Sequence, residues 1–291
     1  MSVSDLPQQK AVPQLRLTLV SSAAVFKKIL TVNSALVDAS RKDLSLNPSA
    51  QDALALLRQM LEAGKPVTDE TTTSIVVMMC TQWDYADRLA PLDLLRCMAP
   101  SPAVAKFHSP STGGIVQVAV SSALDGVPVG SSPNENFAMM AARTIANVFR
   151  SPQGRKVIAT PKSEHLDAAV SFIERVLGFH NQPPIGQFNR NLLLALTTAA
   201  LNIAVLANQQ GGSVPREAQV RLLDALARIL GKQTDPEVLF RALVATGTLI
   251  VVVGAGEPEV RSLREVVRTA GAKVDDQRVK GVVTEILDLL R

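Results

Sequence analysis

The sequence predicts an all-α chain built as a superhelical repeat, and three observations carry that prediction. The 291 residues are 47% hydrophobic but only 3% aromatic. Their apolar residues are mostly Leu, Ala and Val in long runs, a balance that suits helices packing on helices better than sandwiches or barrels. Second, strongly apolar segments of helical length, each carrying one or two polar groups, recur at a coarse interval. Third, NRNLLLALTTAALNIAVLANQQ (189–210) is apolar on nearly every side of any helix it could form. On it Asn191, Ala195, Thr198 and Asn202 fall within ~40° of the first, at ~100° per residue. A helix with one narrow polar strip has neighbours on most sides, as the inner helix of a repeat does.

Turn signals divide the chain at GKPVTD (64–69), APSPAVAKFHSPSTGG (99–114), DGVPVGSSPNEN (125–136), FRSPQG (149–154), GFHNQPPIGQFN (178–189), NQQGGSVP (208–215) and GKQTDPE (231–237). In SAQDALALLRQMLEAG, Ala53, Leu54, Leu57, Met60 and Leu61 recur at i, i+3, i+4, i+7 and i+8, with Ser49 expected to cap the start and Gly64 the end. PREAQVRLLDALARILG repeats the pattern, with Pro215 at the first turn and Gly231 past the last. PLDLLRCM begins at 91, MMAARTIANVF at 139, LLLALTTAALNIAVL at 192 and LFRALVATGTLIVVV at 239, spacings of about 48, 53 and 47 residues. Armadillo and HEAT units repeat every ~40–47 residues, and loops such as HNQPPIGQ would stretch that period. The expected architecture is therefore an armadillo-like α-solenoid over 15–291, preceded by a polar tail, MSVSDLPQQKAVPQ (1–14), with neither an apolar nor an Arg-rich leader character.

In a solenoid the inner helices expose one strip each, so the polar residues on them are the candidates for a binding groove. Arg143 and Asn147 are i, i+4 neighbours in AARTIANVF, Arg96 lies in LDLLRCM, Arg241 in LFRALVAT, and Asn191 and Asn202 on the stripe described above. An arginine flanked by Leu or Phe is rarely buried without a partner. Two outcomes follow: local pairing, with Asp93 for Arg96 and Glu237 for Arg241, or convergence of all the inner-helix residues on one shared groove.

Several function classes lose support. Net charge is +4, from 30 basic and 26 acidic residues, and the densest basic stretch, RSLREVVR, has Glu265 among its arginines, so no nucleic-acid partner is expected. The longest apolar runs fall short of the ~20 residues of a membrane span and one holds an arginine, so no membrane is expected. Cys80 and Cys97 make neither a metal spacing nor a secreted framework, which points to a reducing compartment, cytoplasmic or nuclear. His108, His165 and His180 form no HxxxH or HExxH pair; GxSxG, GxxxxGK[ST] and a strand-borne GxGxxG are missing; Cys80 sits in IVVMMCTQW, where packing is the expected role. The expectation is a monomeric, non-catalytic chain without metal or cofactor.

Trp83 thirteen residues before Arg96, then AARTIANVF, NRNLLLALTTAALNIAV, LFRALVATGTLI and a last helix like VVTEILDLLR make an ordered set. From about residue 80 to the end, this set resembles the PUL domain, the C-terminal part of phospholipase A-activating protein and of its yeast ubiquitin-fusion degradation counterpart. The resemblance implies an armadillo-like bundle whose groove binds the acidic C-terminal tail of the hexameric AAA ATPase valosin-containing protein. By position Arg96 and Arg241 are the groove arginines; Arg143, Asn147, Asn191 and Asn202 are added by motif match and helical phase. The known adaptors carry a β-propeller and a ubiquitin-binding module upstream, for which this chain has no room. Similar domains in fungi follow thioredoxin-like or desumoylating isopeptidase domains, so an accessory domain of such an enzyme is an alternative, as is a helical scaffold for another peptide, such as a basic localisation signal.

Overall fold

The computed structural model describes residues 22–127, 133–160, 164–178, 189–209 and 212–291, and the chain divides between Ile158 and Ala159 into two units. The N-terminal unit holds α1 (Ser22–Asp38), α2 (Pro48–Glu62), α3 (Glu70–Gln82), a 3₁₀ turn (Tyr85–Asp87), α4 (Leu89–Met98), α5 (Pro102–Lys106), α6 (Ile115–Leu124), α7 (Glu135–Val148) and α8 (Pro152–Ala159). A small antiparallel hairpin, His108–Ser109 with Gly113–Gly114, interrupts the helices where a plain turn was expected. The C-terminal unit holds α9 (Glu164–Gly178), α10 (Arg190–Gln209), α11 (Arg216–Lys232), α12 (Pro236–Val253), α13 (Pro258–Arg261), α14 (Leu263–Ala272) and α15 (Gln277–Leu289).

Each unit is two rows of helices. In the C-terminal unit α9, α11 and α14 pack side by side, and so do α10, α12 and α15, with α9 on α10, α11 on α12 and α14 on α15. In the N-terminal unit α1, α4 and α7 form one row and α2, α3 and α6 the other. This is the stacking of an armadillo-like repeat, in which a helix pair covers its apolar faces only by meeting the next pair. The four inner segments expected from the sequence are α4, α7, α10 and α12. Along α10 only the two ends, Leu194, Asn202 and Val205 keep appreciable exposure.

Helices α10 and α12 are 20 and 18 residues long and apolar enough to span a membrane by length and composition, which corrects the expectation that these runs are too short. What they do instead is pack: 78% and 67% of their most apolar windows is buried against the rest of the protein.

Local chemistry sets the boundaries. Helix α2 starts earlier than expected: Asn47, not Ser49, is the cap, its Oδ1 accepting from the Ala50 amide at 2.8 Å, because Pro48 supplies a preset φ at the first helical position. Gly64 ends it as expected at φ +65°, with Lys65 N–H donating to Met60 O and Gly64 N–H to Leu61 O, a Schellman closure that a Cβ would strain. Helix α11 runs one residue beyond Gly231, to Lys232. Trp83 is fully buried and donates its indole N–H to Leu44 O at 2.9 Å, tying the segment after α1 to the end of α3. Burying that ring contributes roughly 4–6 kcal/mol of apolar transfer. Between the outer helices, Arg221 of α11 reaches Glu174, Asp167 and Ser171 of α9.

Gly154 lets α8 start against the end of α7: Ser151 Oγ accepts its amide at 2.9 Å, and a Cβ there would sit 1.9 Å from Val148 O. Gly154→Ala should lower stability by more than ~2 kcal/mol, whereas Gly231→Ala, with open space around its Cβ, should raise it by about 0.5–1 kcal/mol; thermal unfolding of both variants checks the pair. Asp69 caps α3 by accepting from the Thr72 hydroxyl and the Thr72 and Thr71 amides, and the Thr72 hydroxyl above all holds its carboxyl below the usual range. A depressed folded pKa stabilises above the unfolded value near ~4 and is lost as pH falls through the folded one. Asp69→Ala should therefore cost about 1 kcal/mol at neutral pH, a difference that closes in acid urea titrations.

Candidate functional site

The six candidate residues divide evenly between the units, and all six stand on the inner rows: Arg96, Arg143 and Asn147 on α4 and α7, Asn191, Asn202 and Arg241 on α10 and α12.

In the N-terminal unit, Arg96 lies one helical turn after Asp93. Its Nε and Nη2 both reach Asp93 Oδ1 at 2.6 Å, with side-chain exposures of 13% and 18%. This is the local pairing that i, i+3 spacing allows. The Arg96 carbonyl accepts from Asn147 Nδ2 at 2.9 Å across the α4–α7 seam, and Asn147 is 6% exposed. Its amide is thus committed to joining the two helices. Arg143, one turn earlier on α7, is half-buried and has no hydrogen bond or ion pair among the described residues. Burial pushes its pKa down and the positive charge of Arg96 pushes it further, while Asp93 works the other way. An arginine does not respond by losing its proton. The guanidinium stays charged, and among the described residues Asp93 is the carboxylate that acts on both guanidiniums. Beside them, burial raises the pKa of the Cys97 thiol, as it does far more strongly for Cys80, so neither is a poised nucleophile.

In the C-terminal unit the charges balance. Arg241 donates from Nε to Glu237 Oε1 at 2.9 Å and from Nη1 to Thr198 Oγ1 at 2.7 Å. Glu237 Oε2 in turn accepts from Arg278 Nη1 at 3.1 Å, and Arg278 also holds Asp276 and lies over the Phe240 ring, 5.1 Å from its centroid. Arg190 pairs with Asp235 at 2.6 Å. Asp235 and Asp276 each cap their own helix, so the network sits at the N-terminal ends of α10, α12 and α15. Asn191 is exposed, its backbone N–H taken by Asn189 Oδ1 at 2.8 Å, and Asn202 is half-exposed about three turns further along the same stripe. The stripe on α10 therefore has two roles: Thr198 joins α10 to α12 through Arg241, and the asparagines face outward.

Local pairing is what the structure has for Arg96 and for Arg241, each with the acid its helical spacing favours. Sequence reasoning missed Arg190, Arg278 and the bridging position of Glu237. The cap positions Asp235 and Asp276 were the available signal, since a cap carboxylate also attracts a cation: Asp235 holds Arg190 at the start of α10, and Asp276 holds Arg278 two residues on. Among the described residues there is no group of His, Cys, Asp and Glu that could hold a metal ion.

The profile of the PUL domain family matches residues 13–285, so the likeness begins well before residue 80, where the sequence motifs begin. A crystal structure of "PUL and PFU(mutate) domain" superposes with a TM-score of 0.57 at 16% identity, over 97% of this chain and 78% of that one. At that identity the superposition establishes the fold, and it agrees with the stacked helix pairs described above. The chain belongs to the PUL domain family, helical domains that bind other proteins.

Proposed function

We propose that this PUL domain is a non-catalytic adaptor module that binds the acidic C-terminal tail of the hexameric AAA ATPase valosin-containing protein, in ubiquitin- and SUMO-linked protein turnover in the cytoplasm or nucleus. The observation that carries the proposal is Arg143. A half-buried guanidinium that has lost part of its hydration, sits near Arg96 and has no hydrogen-bond or ion-pair partner among the described residues is a standing demand for an anion. A carboxylate satisfies it by a fork-shaped pair of N–H···O contacts, the geometry arginine is built for. Arg96, held by Asp93, adds positive charge at that point without offering its own fork.

In the C-terminal unit, Asn191 offers an amide donor and acceptor to the backbone of an extended peptide, Asn202 lies further along the same stripe, and Arg241 adds a partly shared guanidinium. Asn147 supports the site by fixing α7 to α4. Each charge-assisted contact is worth ~1.5–3 kcal/mol; two or three, less the cost of ordering the peptide, give roughly micromolar affinity.

Titration of a fluorescent tail peptide should show Arg143→Ala weakening binding at least about tenfold, the share of one charge-assisted contact. The double variant Arg96→Ala/Arg241→Ala should weaken it as well, and rising salt should weaken the wild type. Undiminished binding by a folded Arg143→Ala variant would refute the assignment.

A further inference from the structure

We infer that Glu237 is an internal competitor: its carboxylate fills the place between Arg241 and Arg278 that an external carboxylate would take, so this part of the C-terminal unit admits only ligands carrying two or more adjacent carboxylates. The inference rests on the reading of the domain as a binder of acidic peptides and names what kind of acidic ligand it selects.

The geometry is that of a bound ligand. One oxygen of Glu237 accepts from Arg241 on α12 at 2.9 Å, and the other accepts from Arg278 on α15 at 3.1 Å. Two guanidiniums from successive repeats thus clamp a single carboxylate. A lone carboxylate taking the place of Glu237 would make the same two contacts, and it competes with one tethered at i, i+4 on the same helix, whose effective concentration is far higher. A single exchange therefore gains nothing. Two neighbouring carboxylates change the outcome, because the Arg241 Nη2 group has no hydrogen bond among the described residues, whereas every nitrogen of the Arg278 guanidinium is already held by Glu237 or Asp276. The second acid finds donors that Glu237 leaves idle. Of the two contacts of Glu237, the one to Arg278, whose side chain is 54% exposed, is the weakly held one, so the carboxylate can give up that side to an incoming acid.

The same logic separates the two units. At Arg143 no acid need be displaced, since Asp93 is directed at Arg96. At Arg241 one must be.

The test uses the full chain, two labelled peptides that differ only in carrying one acid or three consecutive acids, and fluorescence anisotropy. Glu237→Gln should tighten binding of the single-acid peptide by at least about threefold and narrow the gap between the two peptides. Glu237→Asp, too short to bridge both guanidiniums, should fall between the two proteins. Asp224→Asn, which removes the same charge from the exposed outer face of α11, should change nothing, and adding Arg278→Ala to Glu237→Gln should erase the gain. Equal or weaker binding by Glu237→Gln, or an equal gain with Asp224→Asn, overturns the inference. If the wild type binds the single-acid peptide too weakly to measure, binding that appears with Glu237→Gln supports it and continued absence overturns it. A tail peptide that binds no better than a scrambled one of the same composition would count against the partner named above while leaving these outcomes readable.

Discussion

A helix enclosed by neighbours on all but one strip must satisfy its charged side chains within that strip. That constraint governs the inner rows of both units. Arg96 solves it with an acid one turn away, and Arg241 with an acid one turn away plus the hydroxyl of Thr198 on the neighbouring helix. Among the described residues Arg143 finds neither, because the positions one turn to either side of it are Met139, Met140, Ala146 and Asn147, and the asparagine amide is already given to the Arg96 carbonyl. The lack of a nearby acid on α7 is what sets Arg143 apart from the other two arginines.

Helix identity and repeat order were legible because both follow from periodicity over many residues. The uniformly apolar α10 and α12 announce themselves, and the acids beside Arg96 and Arg241 follow from helical geometry alone. Pairings between repeats were not legible. Arg190 with Asp235, Arg278 with Glu237 and Trp83 with Leu44 join residues about forty positions apart, and no single-helix argument reaches that far. The start of α2 was missed by a smaller margin, since Asn47 and Ser49 are both competent caps and the proline between them decides. Asn147 was placed on the correct face, but one turn of phase does not reveal that the neighbouring backbone claims its amide.

The candidate residues of the two units differ in how their charge is balanced. Around Arg96 and Arg143 there is an excess of one positive charge in a partly desolvated place. Around Arg241 each guanidinium has an acid, and those acids also cap helices or bridge repeats. The first arrangement leaves a desolvated positive charge only partly compensated, whereas in the second each guanidinium is held by an acid; under the function proposed above, an anion would be added at the first and exchanged at the second. Both use the same residue types, so composition alone does not separate them.

The reliance of α10 on α12 also has a bearing on biosynthesis. Its long apolar flank is covered chiefly by a helix that ends at Val253, so the growing polypeptide carries a stretch greasy enough to pass for a membrane anchor until that later segment has left the ribosome. During this interval the emerging chain presents the kind of surface on which holdase chaperones act, and only the arrival of α12 converts a sticky intermediate into a closed hydrophobic seam.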